Sequence, residues 1–536
     1  MNTSNRPTRT ELEVTCNEAE IDAIFATLDR CHLPGAAVGI AVHGKPVYRK
    51  GFGLANMELP VALSPAMRMR IGSTTKHFTC FAYMLLCEEG RAAPDDLIGK
   101  YLPELHSITH SVKLRQLMTN TSGLRDVYDI CWQFNGDARQ VPSAALLSLY
   151  RSIDDTNAAP GAAWIYNNGG FLILGAVIER ITGQPLATVL RERIFKPIGM
   201  NDTLLREFDS DFLPNSATLH MTAADGRYQK SYLGTAHAGE GGMVSTVDDM
   251  LRWLAHMDAP VVGTTSTWEV MRAPQVLNNG ISTGYGLGLQ SGHYRGVETL
   301  CHGGGVLGGN SQMLKVPAAG LDIALMVNRH DVYAIDLANR ILDVCLPALD
   351  APEPNSSGPI STGTFYSLKT GRVIQLFGKA GQQIVAIDGS DWPFVRRQDG
   401  ALGHAPLWRF IQQTLRLVGD PEQPTGLWFS EFGDSDELVR VPPAESAELE
   451  SIAGRYRSEA TDTEATLYTM RHGAILDTHG RFGRSRFALE CLGSGLWRAK
   501  FDGAWPPGGI LSFQGDRQSF RFYSARTRAL NFRRCD

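Results

Sequence analysis

At 536 residues the chain is too long for a single hydrophobic core, and roughly two to four domains are expected. With 43% apolar residues and a net charge of −5 it has the composition of an ordinary soluble protein and lacks the basic surplus that would bind nucleic acid or acidic lipid. Its nine cysteines, none in a Cys-x-x-Cys pair, suit free thiols in a reducing compartment better than a disulfide frame or a zinc site.

From Met1 to Arg30 the chain is mostly polar and lacks the apolar core of a secretory signal, and no later run is apolar enough to span a bilayer, so a cytoplasmic location is expected. Ile21, Ile24, Phe25 and Leu28 predict an amphipathic helix over 20–32. Ala36 to Val42, the turn His43-Gly44 and Val47 to Gly53 predict a hairpin. The stretch Arg70-Ile71-Gly72-Ser73-Thr74-Thr75-Lys76-His77-Phe78 follows, with apolar Phe78, Phe81, Met84 and Leu85 predicting a buried helix that opens at Ser73. That spacing puts Ser73 and Lys76 on one face. A hydroxyl with no base beside it is a poor nucleophile, and Lys76 is placed to take its proton. Ser-x-x-Lys arises about once by chance in a chain of this length, so the pair needs further support.

Leu114 to Leu124 reads as a short helix ending in the polar turn Thr119-Asn120-Thr121-Ser122-Gly123. At Gly161 to Gly170 a loop carrying Tyr166 and Asn168 precedes a helical pattern, Phe171 to Thr182, closed by Gly183. A phenol beside a lysine can share in proton transfer. Ser245 and Asp248 resemble a capping box and are assigned to structure. Strands are predicted at Leu287 to Gln290, Glu298 to Gly303, Ser311 to Val316 and Ile323 to Val327. His302 is followed by three glycines, Gly303 to Gly305, whose missing side chains would let a substrate approach the strand. A helix from Val332 to Leu346 ends a first domain over 1–346.

Residues 347–362, rich in proline, serine and asparagine, read as a linker. Beyond it short strand-like runs alternate with glycine turns, and two blocks are alike: Gly363-Thr-Phe-Tyr-Ser367 matches Gly454-Arg-Tyr-Arg-Ser458, and Leu407-Trp408-Arg409 matches Leu496-Trp497-Arg498. Such a repeat predicts a duplicated small domain, and the strand density favours closed antiparallel barrels over 363–441 and 447–536, with a second linker around Pro442-Pro443.

Ser73-x-x-Lys76, Tyr166-Asn167-Asn168 and His302-Gly303-Gly304, in that order, resemble the penicillin-recognising serine hydrolases: class C β-lactamases, DD-peptidases, related esterases and D-aminopeptidases. Over residues 20 to 346 the resemblance implies an α+β β-lactamase/transpeptidase-like catalytic domain with an all-helical subdomain, here followed by two antiparallel β-barrel domains. It implies that Ser73 is acylated, that Lys76 and Tyr166 form its proton-transfer network, and that Asn168 holds the substrate amide. The backbone N–H groups of Ser73 and Gly305 would stabilise the oxyanion. His302 stands where β-lactamases and DD-peptidases carry a lysine, and a histidine largely neutral at pH 7 is a weak anion anchor. The two barrels make the chain similar to the bacterial D-aminopeptidases, which release N-terminal D-residues, small ones such as D-alanine, from peptides and amides. In those enzymes a loop of the last barrel enters the cleft. The matching loop is expected at Asp477 to Phe487, where Asp477 is the acid that could hold a substrate ammonium and Arg481, Arg484 and Arg486 make the middle basic. The expected partner is a small peptide or amide with a free N-terminal amine, with no nucleic acid, membrane, metal or cofactor. The oligomeric state stays open, a homodimer being one option. An esterase or β-lactamase-like hydrolase on the same scaffold is the alternative; a binding or sensor protein that acylates without turnover is the third reading.

Overall fold

The structure is a computed structural model that describes residues 12–535 apart from 137–139, 224, 353–357, 406–410, 443–451, 471–472, 494, 502–505, 507 and 514. Leu407-Trp408-Arg409, Pro443 and part of the expected 347–362 linker lie outside the described residues.

The first unit is built on a six-stranded antiparallel sheet in the order Gln290–Tyr294, Val297–Val306, Gly309–Val316, Leu321–Val327, Ala36–Val42, Lys45–Phe52. Its N-terminal hairpin therefore pairs with the sheet's last strand in sequence, Ala36 opposite Val327 and Val42 opposite Leu321. Alternate residues of Ala36–Val42 serve two cores, as the two-residue period of a strand requires. Val38 and Ile40 pack on the helices Glu18–Phe25 and Ala334–Cys345, while Ala37 and Ala41 face the core around Phe78, Phe81 and Trp253. Between Gly72 and Ile198 the described elements are helical, and they form the other wall of the cleft.

Three local expectations change. The first helix spans Glu18–Phe25 and not 20–32. The run Leu287 to Gln290 is not a strand; the edge strand begins at Gln290, because Gly284 and Gly288, both with positive φ, turn the chain before it. Ser245 ends a short strand, Met243–Ser245, and the helix Val247–Asp258 is capped by Thr246, whose hydroxyl accepts from Asp249 N–H.

Two closed barrels of eight antiparallel strands follow, Gly363–Tyr366 through Asp434–Arg440 and Gly454–Ser458 through Leu530–Arg534. Each closes by pairing its last strand with its first, Phe365 opposite Arg440 and Tyr456 opposite Arg534. Closure at this strand number leaves an interior that side chains fill. The second barrel shares its apolar core with the helical wall: Phe134 meets Phe522 and Phe532 at ring-centroid distances of 5.0 and 5.4 Å. Among the described residues no single helix is long and apolar enough to cross a membrane.

Candidate active site

Ser73 lies on a single 3-10 turn, Gly72–Thr74, which leads into the helix Thr75–Glu88; the α-helix thus opens just past the serine. Gly72 has φ 52°, a left-handed conformation, and a Cβ there would sit 2.9 Å from Gly305 O. A Cβ on Gly304 would fall 1.8 Å from Ile71 O. The two glycines let the serine turn lie directly against the strand Val297–Val306. Thr74 and Ser311 tie it there, Thr74 Oγ1 donating to His302 O (3.3 Å) and Ser311 Oγ to Ile71 O (2.8 Å). The edge strand stops opposite Cys301, so from His302 to Val306 this strand has no sheet neighbour on that side. Gly305 is exposed on this free edge.

Lys76 is fully buried, and its amino group has three polar partners. Nζ is 3.1 Å from Ser73 Oγ, 2.7 Å from Asn168 Oδ1 and 2.7 Å from Glu240 O. Asn168 opens the helix Asn168–Thr182, capped by Asn167, whose side chain accepts from Gly170 N–H (3.0 Å). With Oδ1 engaged by Lys76, the Asn168 side-chain amide hydrogens remain for a substrate carbonyl. The Tyr166 ring lies against Lys76, centroid to Nζ 4.8 Å, and its hydroxyl has no hydrogen-bond partner among the described residues. Ser73, Lys76, Tyr166, Asn168 and the Gly305 backbone therefore converge as the sequence expects.

His302 does not face a substrate. Only 2% exposed, it has Nδ1 2.6 Å from Gly303 O and Nε2 2.8 Å from Tyr285 Oη. Nδ1 thus carries the proton and Nε2 accepts from the tyrosine. Burial, with Lys76 nearby, pulls its pKa down to about 3, and the ring is neutral at neutral pH. It acts on the site by fixing Tyr285, which packs on Trp164 (5.7 Å), itself 6.2 Å from the Tyr166 ring.

Asp477 and Arg486 are also not brought to the serine. They lie on adjacent strands of the second barrel, in register, and close on each other: Arg486 Nε is 2.7 Å from Asp477 Oδ1, and Tyr468 Oη donates to Oδ2 at 2.8 Å. Exposed opposite charges on neighbouring strands pair with one another sooner than with a distant ligand. The turn between them docks the barrel. Phe482 and Gly483 donate their N–H groups to Asn135 Oδ1 (2.7 and 2.9 Å), and Arg481 reaches Ser148 Oγ (3.2 Å).

The segment of the last barrel that does touch the site is one that sequence reasoning passed over, Ser524-Ala525-Arg526-Thr527-Arg528-Ala529, between the strands Ser519–Tyr523 and Leu530–Arg534. Ser524 and Thr527 donate their hydroxyls to Asp129 Oδ2 (2.6 and 2.7 Å), and Asn157 Nδ2 holds Arg526 O (2.7 Å). Arg526 then lies 5.1 Å from the Tyr166 ring centroid. In sequence it is one more polar turn between strand-like runs; its two arginines are the only signal, and the Arg481 to Arg486 turn shows the same one. On the same hairpin Arg528 joins Arg372 on Glu431 (2.6 and 2.7 Å), lining a cavity of about 780 Å³ where the catalytic unit and both barrels meet; Ser73 is not part of its lining. Those two guanidinium groups hold the Glu431 pKa down to about 2 against the opposing pull of burial.

A beta-lactamase family model matches residues 21–346. The D-aminopeptidase of Brucella anthropi is 27% identical over 484 residues, covering 87% of this chain and 86% of that protein. The D-aminopeptidase of Brucella canis is 27% identical over 479 residues, covering 87% of each. Among solved structures, an octameric penicillin-binding protein homologue from Pyrococcus abyssi aligns with TM-score 0.55 at 17% identity, covering 96% of this chain and 98% of its own. The D-amino acid amidase of Ochrobactrum anthropi SV3 complexed with D-phenylalanine aligns with TM-score 0.52 at 22% identity, over 61% of this chain and 99% of its own. Both share the fold.

Proposed function

Because the chain belongs to the beta-lactamase family, we propose that it is a serine hydrolase of the cytoplasm that releases N-terminal D-amino acids, small ones such as D-alanine, from peptides and amides. The observation that carries this reading is the extent of the likeness to the D-aminopeptidases: it runs over 484 residues, well beyond the catalytic unit. The local geometry supplies the chemistry. Ser73 Oγ attacks the substrate carbonyl carbon while its proton passes to Lys76 Nζ, 3.1 Å away. The oxyanion forms against the N–H groups of Ser73 and Gly305, donors of a kind worth about 10²–10³ in rate each. Collapse breaks the C–N bond, and the Lys76–Tyr166 network returns the proton to the leaving amine. Water then attacks the acyl ester on Ser73, giving up its proton to the same network and freeing the serine. The Tyr166 ring lies 4.8 Å from Lys76 Nζ, so the roles of base and acid are assigned to the pair.

One observation favours the alternative of an esterase or β-lactamase-like hydrolase: the charged group that the last barrel brings to Tyr166 is Arg526, a cation where an ammonium-binding site needs an acid. Comparing D-alanine p-nitroanilide with p-nitrophenyl butyrate separates the two. Turnover of the anilide, with an alanyl adduct on Ser73 in the intact mass, is expected; turnover of the ester alone would move the chain to the alternative.

A further inference from the structure

Arg526 has more hydrogen-bonding capacity than the protein uses. A guanidinium carries five N–H donors in a planar fork that matches a carboxylate. The side chain of Arg526 uses one of them within the protein, Nη1 to Asp126 Oδ2 at 3.3 Å, and Nε and Nη2 have no partner among the described residues. Asp126 relies on it only in part, since its Oδ1 accepts from the N–H groups of Tyr128 (3.1 Å) and Gly169 (3.0 Å). The side chain is 24% exposed, leaving part of the fork uncovered. Its position is fixed. The guanidinium rests 5.1 Å from the Tyr166 ring centroid and 5.7 Å from that of Trp132; the Ser524 and Thr527 hydroxyls on either side donate to Asp129, and Asn157 binds Arg526 O and Arg528 N–H. Lys76 Nζ is 4.8 Å from the same Tyr166 ring, so a cationic fork with idle donors borders the reacting groups.

We propose that Arg526 receives a carboxylate of the substrate, so that this enzyme selects D-aminoacyl substrates carrying an anionic group close to the scissile bond. The inference rests on the serine-hydrolase reading of Ser73 and narrows its substrate class. The carboxylate has two possible sources with the same chemistry, the C-terminus of the departing residue or an acidic side chain on the D-residue.

The experiment uses acid and amide pairs on the full chain: D-alanyl-glycine against D-alanyl-glycinamide for the first source, and the α-p-nitroanilides of D-glutamate and D-glutamine for the second. In at least one pair the acid is expected to show a KM about tenfold below its amide, the worth of one charge-assisted contact. The pair that shows it identifies the source. That ratio falls to about one in Arg526→Gln and is intermediate in Arg526→Lys, which keeps the charge without the fork. Equal or weaker KM for the acid in both pairs overturns the proposal, as does a ratio that survives Arg526→Gln. If Arg526→Gln fails to fold, the wild-type ratios and Arg526→Lys decide. Calorimetric binding of the same pairs to Ser73→Ala reads the preference without turnover. An enzyme that binds the acid better but hydrolyses nothing therefore fails the serine-hydrolase reading and not this one.

Discussion

Thr527 and Asp129 are 398 residues apart in the chain, and the hydroxyl of one donates to the buried carboxylate of the other at 2.7 Å. Ser524 adds a second hydroxyl to the same oxygen. This carboxylate, on the helix Val127–Phe134, fixes the hairpin of the last barrel that carries Arg526 to the Tyr166 ring. The far end of the sequence is thereby built into the wall of the cleft.

Replacing Asp129 with alanine leaves both hydroxyls buried without their acceptor, at a cost of about 1–3 kcal/mol for each. The hairpin is expected to loosen while both barrels stay closed. Hydrogen exchange of peptides spanning 519–534 should quicken relative to the rest of the second barrel; unchanged exchange there would show that the hairpin is held by other contacts.

The pair Asp477 and Arg486 is expected to matter little. It is an ion pair with side chains 35% and 66% exposed, and such pairs contribute about 0–1 kcal/mol. Removing both charges together should leave kcat/KM for D-alanine p-nitroanilide within about twofold of wild type. A tenfold loss would restore that turn as a specificity element.

These two outcomes mark where the sequence is legible. The positions of Ser73, Lys76, Tyr166 and Asn168 can be read because helix periodicity and the pre-helix turn fix each locally, and the run Gly303 to Gly305 announces a close approach of backbone. The two barrels can be read from alternating strands and the doubled Gly363 and Gly454 blocks, which open the two barrels. Which turn of the last barrel meets the cleft cannot be read, because barrel docking is a tertiary matter: Phe134 on Phe522 and Asn135 under Phe482 set it, and Asn135 lies 347 residues from Phe482 in the chain. The contact of His302 with Tyr285 cannot be read for a related reason, since Tyr285 lies beyond a glycine turn that hides the end of the edge strand.

Lys76→Met removes the amine 3.1 Å from Ser73 Oγ, a member of the proposed proton-transfer pair, and leaves Asn168 Oδ1 and Glu240 O without that partner. The expected result is a fall in kcat of about 10³-fold or more with a smaller change in KM, as general-base loss implies. A KM effect with kcat retained would make Lys76 a binding residue.

Acid should destabilise the fold early. Burial lowers the pKa of His302 to about 3, of His256 and His404 to about 4, and of His77 well below its ordinary value. A histidine whose folded pKa is depressed binds its proton more readily unfolded, so its contribution is complete above about pH 6.5 and is lost as pH falls toward the folded value. Glu431, held at about 2, adds a loss that begins only below about pH 4.5. Asp322, whose pKa burial raises to about 6, works the other way and gains stability as pH falls through that value. With several histidines against it, the Tm is expected to drop from pH 6.5 to pH 4; a Tm that rises over that window would mean these imidazoles are not buried neutral.

The proposed function stands or falls on Ser73 acting on D-aminoacyl bonds. Its most direct test is the rate on D-alanine p-nitroanilide against the L-form, with Ser73→Ala as the blank. Turnover of the D-anilide alone is expected, lost in the variant while the fold is retained. Equal rates on both enantiomers, or a rate that survives Ser73→Ala, would contradict it.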